Sequence, residues 1–333
     1  MPVCGKGCRP VKAMSWQAYN AIDQIQIIDI DMPTPKANEV LIRTHASSIN
    51  SWDWEIIQGT PWVNRVVRAL TSKYDILGAD VAGTVAAVGR AVSRFKEGDE
   101  VYGDLSGGHW GGFAEYVTAD QSALLPKPAN LTFAQAAAVP QAGLLALQGL
   151  RDKGAIQTGE RVLINGASGG VGTFAIQLAR LWQAEVTAVC SGRKMELVRE
   201  LGAAHVMDYT QQDFTQNNNQ YDLILDVQGH HNIAGYKRAL SSGGRYVMVG
   251  GESALVNRVI WQGWLAAVNG GQKMGLLLHK ANRGLVDLSR LLEQGKITPV
   301  VDRCYPLEKL ADAMRYYAGG HVRGKLVISM VQE

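Results

Sequence analysis

The chain has 333 residues, with 33 Lys and Arg against 30 Asp and Glu and a formal net charge of +3. This length allows about two domains, each with its own core. The small net charge and scattered basic residues exclude a nucleic-acid-binding tract, and no apolar run is long enough for a membrane span. Residues 1–11 lack the apolar segment of a secretory signal, and the cysteines suit a reduced state, so we expect a cytoplasmic protein.

The first third of the chain is rich in predicted β-strands. Short apolar runs separated by glycines and charged turns predict a small, partly open antiparallel barrel. The runs cover residues 40–46, 80–88, 100–105 and 113–118. Three tryptophans, Trp52, Trp54 and Trp62, lie close together in this part. They fit either an ordinary core or a pocket for a flat apolar ligand.

The pattern changes after Leu131 and becomes alternately helical and extended. Residues 133–150 predict a helix that Pro140 breaks or kinks. Later segments predict further strands and helices, whose spacing indicates a doubly wound parallel sheet. The predicted strands are residues 205–207, 223–227, 246–249 and 325–330, and the predicted helices are 194–201, 285–292 and 307–317.

A glycine turn lies between a buried apolar run at residues 162–164 and a helical pattern. Gly166, Gly169 and Gly172 recur at every third position, which lets the backbone turn tightly and lets a pyrophosphate approach it. The helix that follows would direct its free N–H groups and the positive end of its dipole at a phosphate. Its predicted apolar face includes Leu181 and Trp182.

The sequence after the next apolar run, residues 186–190, bears on the cofactor. The residue that binds the ribose hydroxyls is expected roughly 20 positions beyond the last glycine, which leads to Ser191. An NAD site favours an acidic residue there, whereas this chain has Ser191 followed by Gly192, Arg193 and Lys194. A small hydroxyl followed by two cations suits the 2′-phosphate of NADPH. The same residues also fit a surface turn at the start of a solvated helix.

Two further segments, residues 95–101 and 112–116, together with the glycine turn resemble the medium-chain dehydrogenase/reductase superfamily. The chain is most similar to its zinc-independent quinone oxidoreductase branch, which includes zeta-crystallin. Residues 186–209 look most like the reticulon-interacting mitochondrial member. The resemblance implies a Rossmann domain at residues 131–279 inserted into a GroES-like catalytic domain formed by residues 1–130 and 280–333. It also implies an active site in the cleft between them.

The resemblance implies roles for individual residues as well. It assigns the phosphate-binding turn, the 2′-phosphate pocket and a C-terminal segment that closes over the cofactor. We accordingly predict cofactor contacts at Asn50, Ala167, Ser168, Gly169, Gly170, Val171, Ser191, Arg193, Lys194, Tyr209, Val227, Gly250, His321 and Arg323. For His321, a polar turn before the last strand is an equally good interpretation.

The resemblance also indicates which residues of this chain stand where zinc-dependent relatives bind the metal. Where zinc-dependent relatives place three metal ligands, this chain has Asn50, Ala79 and Gln141, and the position of the proton-relay hydroxyl is Trp52. These residues are poor zinc ligands, because catalytic zinc takes Cys, His or carboxylate side chains. We therefore predict a protein without a metal and doubt simple alcohol oxidation.

The sequence predicts an NADPH-dependent reductase of a quinone or an α,β-unsaturated carbonyl compound, which needs positioning more than a Lewis acid. Asn50 is the first candidate for polarising the acceptor or orienting the nicotinamide ribose, with Asp53 as its partner or as a simple helix cap. Tyr102 is a remote third candidate. An enoyl-thioester reductase and a non-catalytic NADPH-binding protein stay open as alternatives, and so does a homodimer.

Overall fold

The structure is a computed structural model that describes residues 10–60, 62–70, 75–217, 220–251, 255–256, 259 and 272–330. The chain divides into two compact units. Unit 1 comprises Met1–Gln141, Lys280–Glu293 and Pro299–Glu333, and unit 2 comprises Ala142–His279 and Gln294–Thr298. Unit 2 is thus inserted in sequence between parts of unit 1. Cys4 and Cys8 lie outside the described residues.

Unit 1 is built on β-sheet. Its strands are Pro10–Ser15 (β1), Gln26–Asp31 (β2), Glu39–Ser48 (β3), Asp80–Val88 (β4), Glu100–Asp104 (β5), Tyr116–Asp120 (β6), Leu124–Pro126 (β7), Val301–Pro306 (β14) and Lys325–Ser329 (β15). β1 and β2 pair with each other, and the remaining strands form a seven-stranded sheet in the order β14-β15-β3-β4-β5-β7, with β6 also paired to β3. β3 is central because it pairs with β4, β6 and β15.

Two strand predictions for unit 1 need correction. No strand was predicted at residues 301–306, where β14 forms, and β14 pairs in parallel with β15. The helix Leu310–Ala318, which lies between them in sequence, returns the chain to the end from which β14 started, as a parallel pair requires. The strand predicted at residues 113–118 begins only at Tyr116. The reason is that the backbone N–H of Phe113 donates to the carbonyl of Leu77, while the carbonyl of Phe113 accepts from the backbone N–H of Met14.

Unit 1 also carries short helices, and one further helix begins at its boundary. They are Ser51–Gln58 (α1), Val63–Leu70 (α2), Phe133–Ala137 (α3), Pro140–Leu147 (α4), Leu285–Glu293 (α8) and Leu310–Ala318 (α9). Thr132 and Gln135 form a reciprocal capping box at α3. The predicted break at Pro140 is the first residue of α4, where proline costs no hydrogen bond.

Unit 2 is a parallel six-stranded sheet with helices between its strands. The strands are Arg161–Asn165 (β8), Glu185–Cys190 (β9), His205–Asp208 (β10), Tyr221–Asp226 (β11), Leu240–Met248 (β12) and Lys273–Leu276 (β13). Their order is β10-β9-β8-β11-β12-β13, and every pairing is parallel. The connecting helices include Gly170–Leu181 (α5), Met195–Glu200 (α6) and Ile233–Ala239 (α7). This confirms the predicted α/β class with a doubly wound parallel sheet.

The burial of side chains in β8 and α5 follows from the packing of helices against this sheet. The strand β8 is buried over Val162–Asn165, as expected of a strand covered on both faces. The helix α5 buries Phe174 and Leu178 on its inner side. Leu181 was predicted to share that face, but it is 42% exposed, because α5 ends there and its last turn reaches the surface. The predicted apolar face is therefore one turn shorter than the sequence pattern suggested.

Candidate active site

A buried polar network lies at the end of β3 in unit 1. Val327 of β15 is opposite Ser48, so Lys325, which begins β15, falls beside the residues that follow β3. Asp80 begins the antiparallel neighbour β4, and Asn50 directly precedes α1. The exposed fractions of Asn50, Asp80 and Lys325 are only 6%, 0% and 4%. The sheet register therefore brings three polar side chains from distant parts of the sequence into one buried cluster.

The side chain of Asn50 is held by two opposite charges. Its Nδ2 donates to Oδ2 of Asp80 at 2.9 Å, and its Oδ1 accepts from Nζ of Lys325 at 2.5 Å. Because an ammonium only donates and a carboxylate only accepts, these partners fix the orientation of the amide. Nδ2 also donates to the backbone oxygen of Ser48, at a distance of 3.4 Å. The predicted polarising donor is therefore largely engaged within the protein.

The carboxylate of Asp80 connects the positions at which zinc ligands were considered. Its Oδ2 accepts from Asn50 and from Oγ of Ser48, and its Oδ1 accepts from the backbone N–H of Gln141 at 2.9 Å. Ala79 directly precedes it. The structure thus brings Asn50, Ala79 and Gln141 together around one buried carboxylate, as the sequence comparison implied.

Asp53 combines the two roles considered for it. Its Oδ2 accepts from the backbone N–H of Asn50 at 2.8 Å, which caps α1, and its Oδ1 accepts from the backbone N–H of Gly78 at 2.9 Å. Burial raises the pKa of Asp53 to about 7, against the opposing effect of these two hydrogen bonds and of Lys325. Asp53 therefore contacts the backbone of Asn50 and holds that backbone in place.

Lys325 and Asp80 form a buried ion pair, with Nζ 3.5 Å from Oδ2. Burial lowers the pKa of Lys325 and raises the pKa of Asp80, and in each case the charge of the other residue opposes the shift. Nζ also donates to the backbone oxygen of Ile49 at 2.9 Å. These donors and acceptors offset part of the cost of removing the two charges from water.

The aromatic candidates near this network differ in exposure. Trp52 is 39% exposed, and its ring centroid lies 6.1 Å from that of the buried Trp110. Trp54 is half-buried beside Tyr317. Trp52 follows Asn50 by two residues and is more exposed than an ordinary core residue. Tyr102, the remote candidate, is fully buried on β5, and burial raises its pKa to about 12, so it is a poor proton donor.

In unit 2, five of the predicted cofactor residues lie at the carboxyl ends of neighbouring strands. Each follows a different strand of the sheet, and such an edge is where dinucleotides bind in doubly wound folds. The residues are Ala167 after β8, Ser191 after β9, Tyr209 after β10, Val227 after β11 and Gly250 after β12. The sheet order places β8, β9 and β11 side by side, so these positions follow one edge.

The glycine turn has the form of a phosphate cradle. Gly166 has φ +81°, and a Cβ on Gly172 would lie 2.4 Å from the backbone oxygen of Gly166, so both positions require glycine. A Cβ on Gly169 would meet only one atom of the protein within 4 Å, at 3.5 Å. Space is therefore left above Gly169, where Gly170 and Val171 begin α5 and their N–H groups lack intrahelical partners. These residues, with Ser168 beside them, fit a bound pyrophosphate.

The residues after β9 fit the second end of a dinucleotide. Ser191 precedes a single helical turn, Gly192–Lys194, in which Arg193 is exposed. The charges of Lys194 and Arg199 act to lower the pKa of the Cys190 thiol, which places both cations near the end of β9. Tyr209 is 58% exposed after β10. A 2′-phosphate would thus find a hydroxyl, cations and an accessible ring.

Asp208, the last residue of β10, is a negative charge near the cations that follow β9. It pairs with Cys190 in the register of β9 and β10, and burial and this carboxylate raise the pKa of Cys190 to about 11. Its Oδ1 is already hydrogen-bonded to the backbone N–H and the hydroxyl of Thr210. A Cβ on Gly192 would lie 2.6 Å from Oδ2 of Asp208, so a larger residue there would require this carboxylate to move.

His321 and Arg323 lie in unit 1, in the segment between α9 and β15. Both are exposed. The ring of His321 is 6.2 Å from that of Tyr316, and the backbone N–H of Arg323 donates to Asp302. Their side chains are therefore accessible, and contact with the cofactor stays a prediction for them.

The sequence analysis missed two buried groups. Lys325 was assigned only to a strand, although its ammonium holds Asn50. Asp226, at the end of β11, accepts from Nδ2 of Asn165 at 2.8 Å and from the hydroxyl of Tyr246 at 2.8 Å. It thereby fixes the carboxyl ends of β8 and β11 beside the glycine turn. In both cases the available signal was a charged residue directly beside a run of apolar strand residues.

A Rossmann sheet with a phosphate cradle, and a β-domain with a buried polar site, define a nicotinamide dinucleotide-dependent oxidoreductase. Residues 36–129 match the family described as "Alcohol dehydrogenase GroES-like domain", and residues 201–328 match "Zinc-binding dehydrogenase". The chain belongs to the medium-chain dehydrogenase/reductase superfamily. Among the residues that the structure describes, no helix is long and apolar enough to cross a membrane.

Individual relatives cover nearly the whole chain. NAD(P)H oxidoreductase RTN4IP1, mitochondrial, of Bos taurus is 36% identical over 88% of this chain and 82% of its own length. NADPH-dependent alkenal/one oxidoreductase, chloroplastic, of Arabidopsis thaliana is 33% identical over 96% of this chain and 80% of its own length. The solved quinone oxidoreductase of Coxiella burnetii is 29% identical, covers 97% of this chain and 100% of its own, and has a TM-score of 0.86.

The zinc in the second family description does not fit the residues of this chain. Alanine at position 79 offers no ligand atom, and Oδ1 of Asn50 already accepts from the Lys325 ammonium. The described part of the chain also contains no group of three or more His, Cys, Asp and Glu side chains that could hold a metal ion. At the positions where the resemblance places zinc ligands, this chain therefore has residues that do not suit zinc.

Proposed function

We propose that the protein is a zinc-independent, NADPH-dependent reductase of quinones or α,β-unsaturated carbonyl compounds. The observation that carries the proposal is the network around Asn50, where an amide stands at the position of a metal ligand and an internal ammonium donates to it. Without a Lewis acid, the acceptor must already be electrophilic, as quinones and enones are. The names of the alkenal/one and quinone oxidoreductases above support the same two acceptor classes.

The residues of unit 2 would bind and orient the cofactor. Bound NADPH would supply a hydride from its nicotinamide C4 to the acceptor. Gly169, Gly170 and Val171 would hold the pyrophosphate at the start of α5, and Ser191 with the cations after it would bind the 2′-phosphate. Val227 and Gly250, which follow β11 and β12, would line the next part of the same edge.

The residues of unit 1 would position the acceptor. Asp53 and Asp80 keep Asn50 in one orientation, so the site needs no rearrangement during the reaction. Trp52, which is 39% exposed, offers an aromatic face to a flat acceptor. Hydride addition to an enone gives an enolate, and a proton from water completes the saturated carbonyl compound.

The test is a screen of NADPH oxidation by the purified protein. The acceptors are simple quinones, enones and enoyl thioesters, each assayed with NADPH and with NADH at matched concentrations. We expect turnover with quinones or enones and a preference for NADPH. Turnover restricted to enoyl thioesters would favour the enoyl-thioester reductase alternative. NADPH binding without turnover of any acceptor would favour the non-catalytic alternative.

A further inference from the structure

Gln141 has a buried side-chain amide whose nitrogen finds no hydrogen-bond partner in the described part of the chain. The residue is 3% exposed, and its Nε2 has no hydrogen-bond partner among the residues that the structure describes. Buried amide groups in proteins are nearly always hydrogen-bonded, because an unpaired donor loses its water without compensation. A buried donor without a partner among the described residues is therefore available to a bound ligand.

Another buried glutamine of the same chain shows the usual arrangement. The Nε2 of Gln177 donates to the backbone oxygens of Thr173 and Thr298, and its Oε1 accepts from the backbone N–H of Thr298. This amide joins two segments of unit 2 and is satisfied by the fold. The amide of Gln141 is not used in this way.

The position of Gln141 relates its amide to the candidate active site. Its backbone N–H donates to Oδ1 of Asp80 at 2.9 Å, while Asn50 donates to Oδ2 of the same carboxylate at 2.9 Å. Gln141 and Asn50 are thus held at the two oxygens of one buried group. Lys325 and Asp80 already form hydrogen bonds with the side-chain amide of Asn50. Of Asn50 and Gln141, it is therefore Gln141 whose amide nitrogen has no partner among the described residues.

We propose that Nε2 of Gln141 donates a hydrogen bond to the carbonyl oxygen of the acceptor and is the substrate-polarising group of this enzyme. The inference rests on the proposed function and adds to it the residue that recognises the acceptor. It replaces Asn50 in that role, and Asn50 becomes a positioning residue. The ligand that it requires is a carbonyl compound small or flat enough to reach a buried amide.

The chemistry needs a donor of this kind. When a hydride bonds to the β-carbon of an enone, the C=C electron pair moves and negative charge collects on the carbonyl oxygen. A neutral amide stabilises that charge through a hydrogen bond without giving up a proton, and water then protonates the enolate carbon. A preorganised donor that dominates such stabilisation contributes about 10²–10³ in rate. A quinone is more electrophilic and depends less on the donor.

The experiment compares Gln141→Met with Gln177→Met, two substitutions that remove an amide of similar size from a buried site. For Gln141→Met we expect kcat/KM to fall at least tenfold for an enone and less for a quinone. The Kd for NADPH stays unchanged, and the Tm is equal to or higher than that of the wild type, because an unpaired polar group is removed. For Gln177→Met we expect a lower Tm and kcat/KM within about twofold of the wild type. Gln141→Leu repeats the test with a different shape.

The outcomes separate this inference from the proposed function. If the wild type reduces enones and Gln141→Met keeps kcat/KM within twofold, the inference is wrong and the function stands. A Tm loss for Gln141→Met as large as that for Gln177→Met, with kcat/KM retained, would mean that ordered water satisfies a structural amide, which also overturns the inference. A wild type that reduces no acceptor overturns the proposed function itself.

Discussion

Nζ of Lys325 donates a 2.5 Å hydrogen bond to Oδ1 of Asn50, a residue 275 positions earlier in the sequence. The contact joins the strand β15, from the C-terminal part of unit 1, to the residue that precedes α1. The same ammonium lies 3.5 Å from the buried carboxylate of Asp80. One side chain therefore connects two segments of unit 1 and balances the charge at the candidate active site.

Replacing Lys325 with methionine should destabilise the protein strongly. The substitution keeps most of the apolar stem but leaves the carboxylate of Asp80 buried without its cation. Breaking a buried ion pair in this way costs about 3–5 kcal/mol in the free energy of unfolding. Urea unfolding of wild type and Lys325→Met, followed by circular dichroism, measures the change.

The matched control is the double variant Lys325→Met with Asp80→Asn, in which neither charge is buried. Its free energy of unfolding should lie well above that of Lys325→Met alone, because the uncompensated carboxylate is gone. A double variant with the sum of the two single losses would contradict a direct energetic interaction between the residues.

Asp53 should make stability depend on pH between about 4 and 7. Burial raises the pKa of its carboxyl group in the folded protein to about 7, against an ordinary value of 3.8. In this range the folded protein binds a proton that the unfolded chain has released, so stability falls as pH rises. The free energy of unfolding of wild type minus that of Asp53→Asn should decrease by about 1.4 kcal/mol per pH unit between pH 5 and 6, and by less as the pH approaches 7. Urea unfolding at pH 5, 6, 7 and 8 measures it.

Above about pH 8 this difference should become constant, since Asp53 is then ionised in both states. Glu55 also has a pKa raised to about 7 by burial, but it is present in both proteins and largely cancels in the comparison. A difference that rises with pH would mean that the two backbone hydrogen bonds to Asp53 outweigh its burial.

The cofactor preference should depend on Arg193 and Lys194. Hydrogen bonds to charged groups contribute roughly 1.5–3 kcal/mol each. The double variant Arg193→Ala, Lys194→Ala should therefore weaken NADPH binding at least tenfold and leave NADH binding nearly unchanged. Fluorescence titration of both nucleotides measures the two Kd values, and equal weakening for both would contradict a 2′-phosphate site.

The parts of the fold with local signals were predictable from sequence. The glycine turn at Gly166–Gly172 was found because the spacing of its glycines and the apolar runs beside it are all visible in one short stretch of sequence. The parallel sheet followed from the regular alternation of strands and helices. In unit 1, the strand β14 was not predicted, because residues 301–306 include Asp302 and Arg303 and form no apolar run. Its parallel pairing with β15 depends on the chain connection between the two strands rather than on their own residues.

The candidate site was predictable only in part, for a similar reason. Asn50 was found because the resemblance aligns it with a zinc-ligand position, and Asp53 was then considered as its partner because it follows three residues later. Lys325 looked like an ordinary residue of the last strand, because its partner is set by the register of β15 on β3. The unpaired amide of Gln141 could not be foreseen either, since satisfaction of a buried group depends on all of its neighbours in space.

The last prediction concerns metal. The name of the matched family includes zinc, yet alanine occupies position 79 and the amide oxygen of Asn50 accepts from the Lys325 ammonium. A zinc ion there would need three ligands such as Cys, His or carboxylate and would be repelled by the ammonium. Elemental analysis of protein purified without added metal should therefore find far less than one zinc per chain, and dialysis against a chelator should leave NADPH-dependent turnover unchanged. Adding zinc afterwards should not raise the rate. About one zinc per chain, lost to the chelator together with activity and restored with it, would contradict the proposed chemistry of this site.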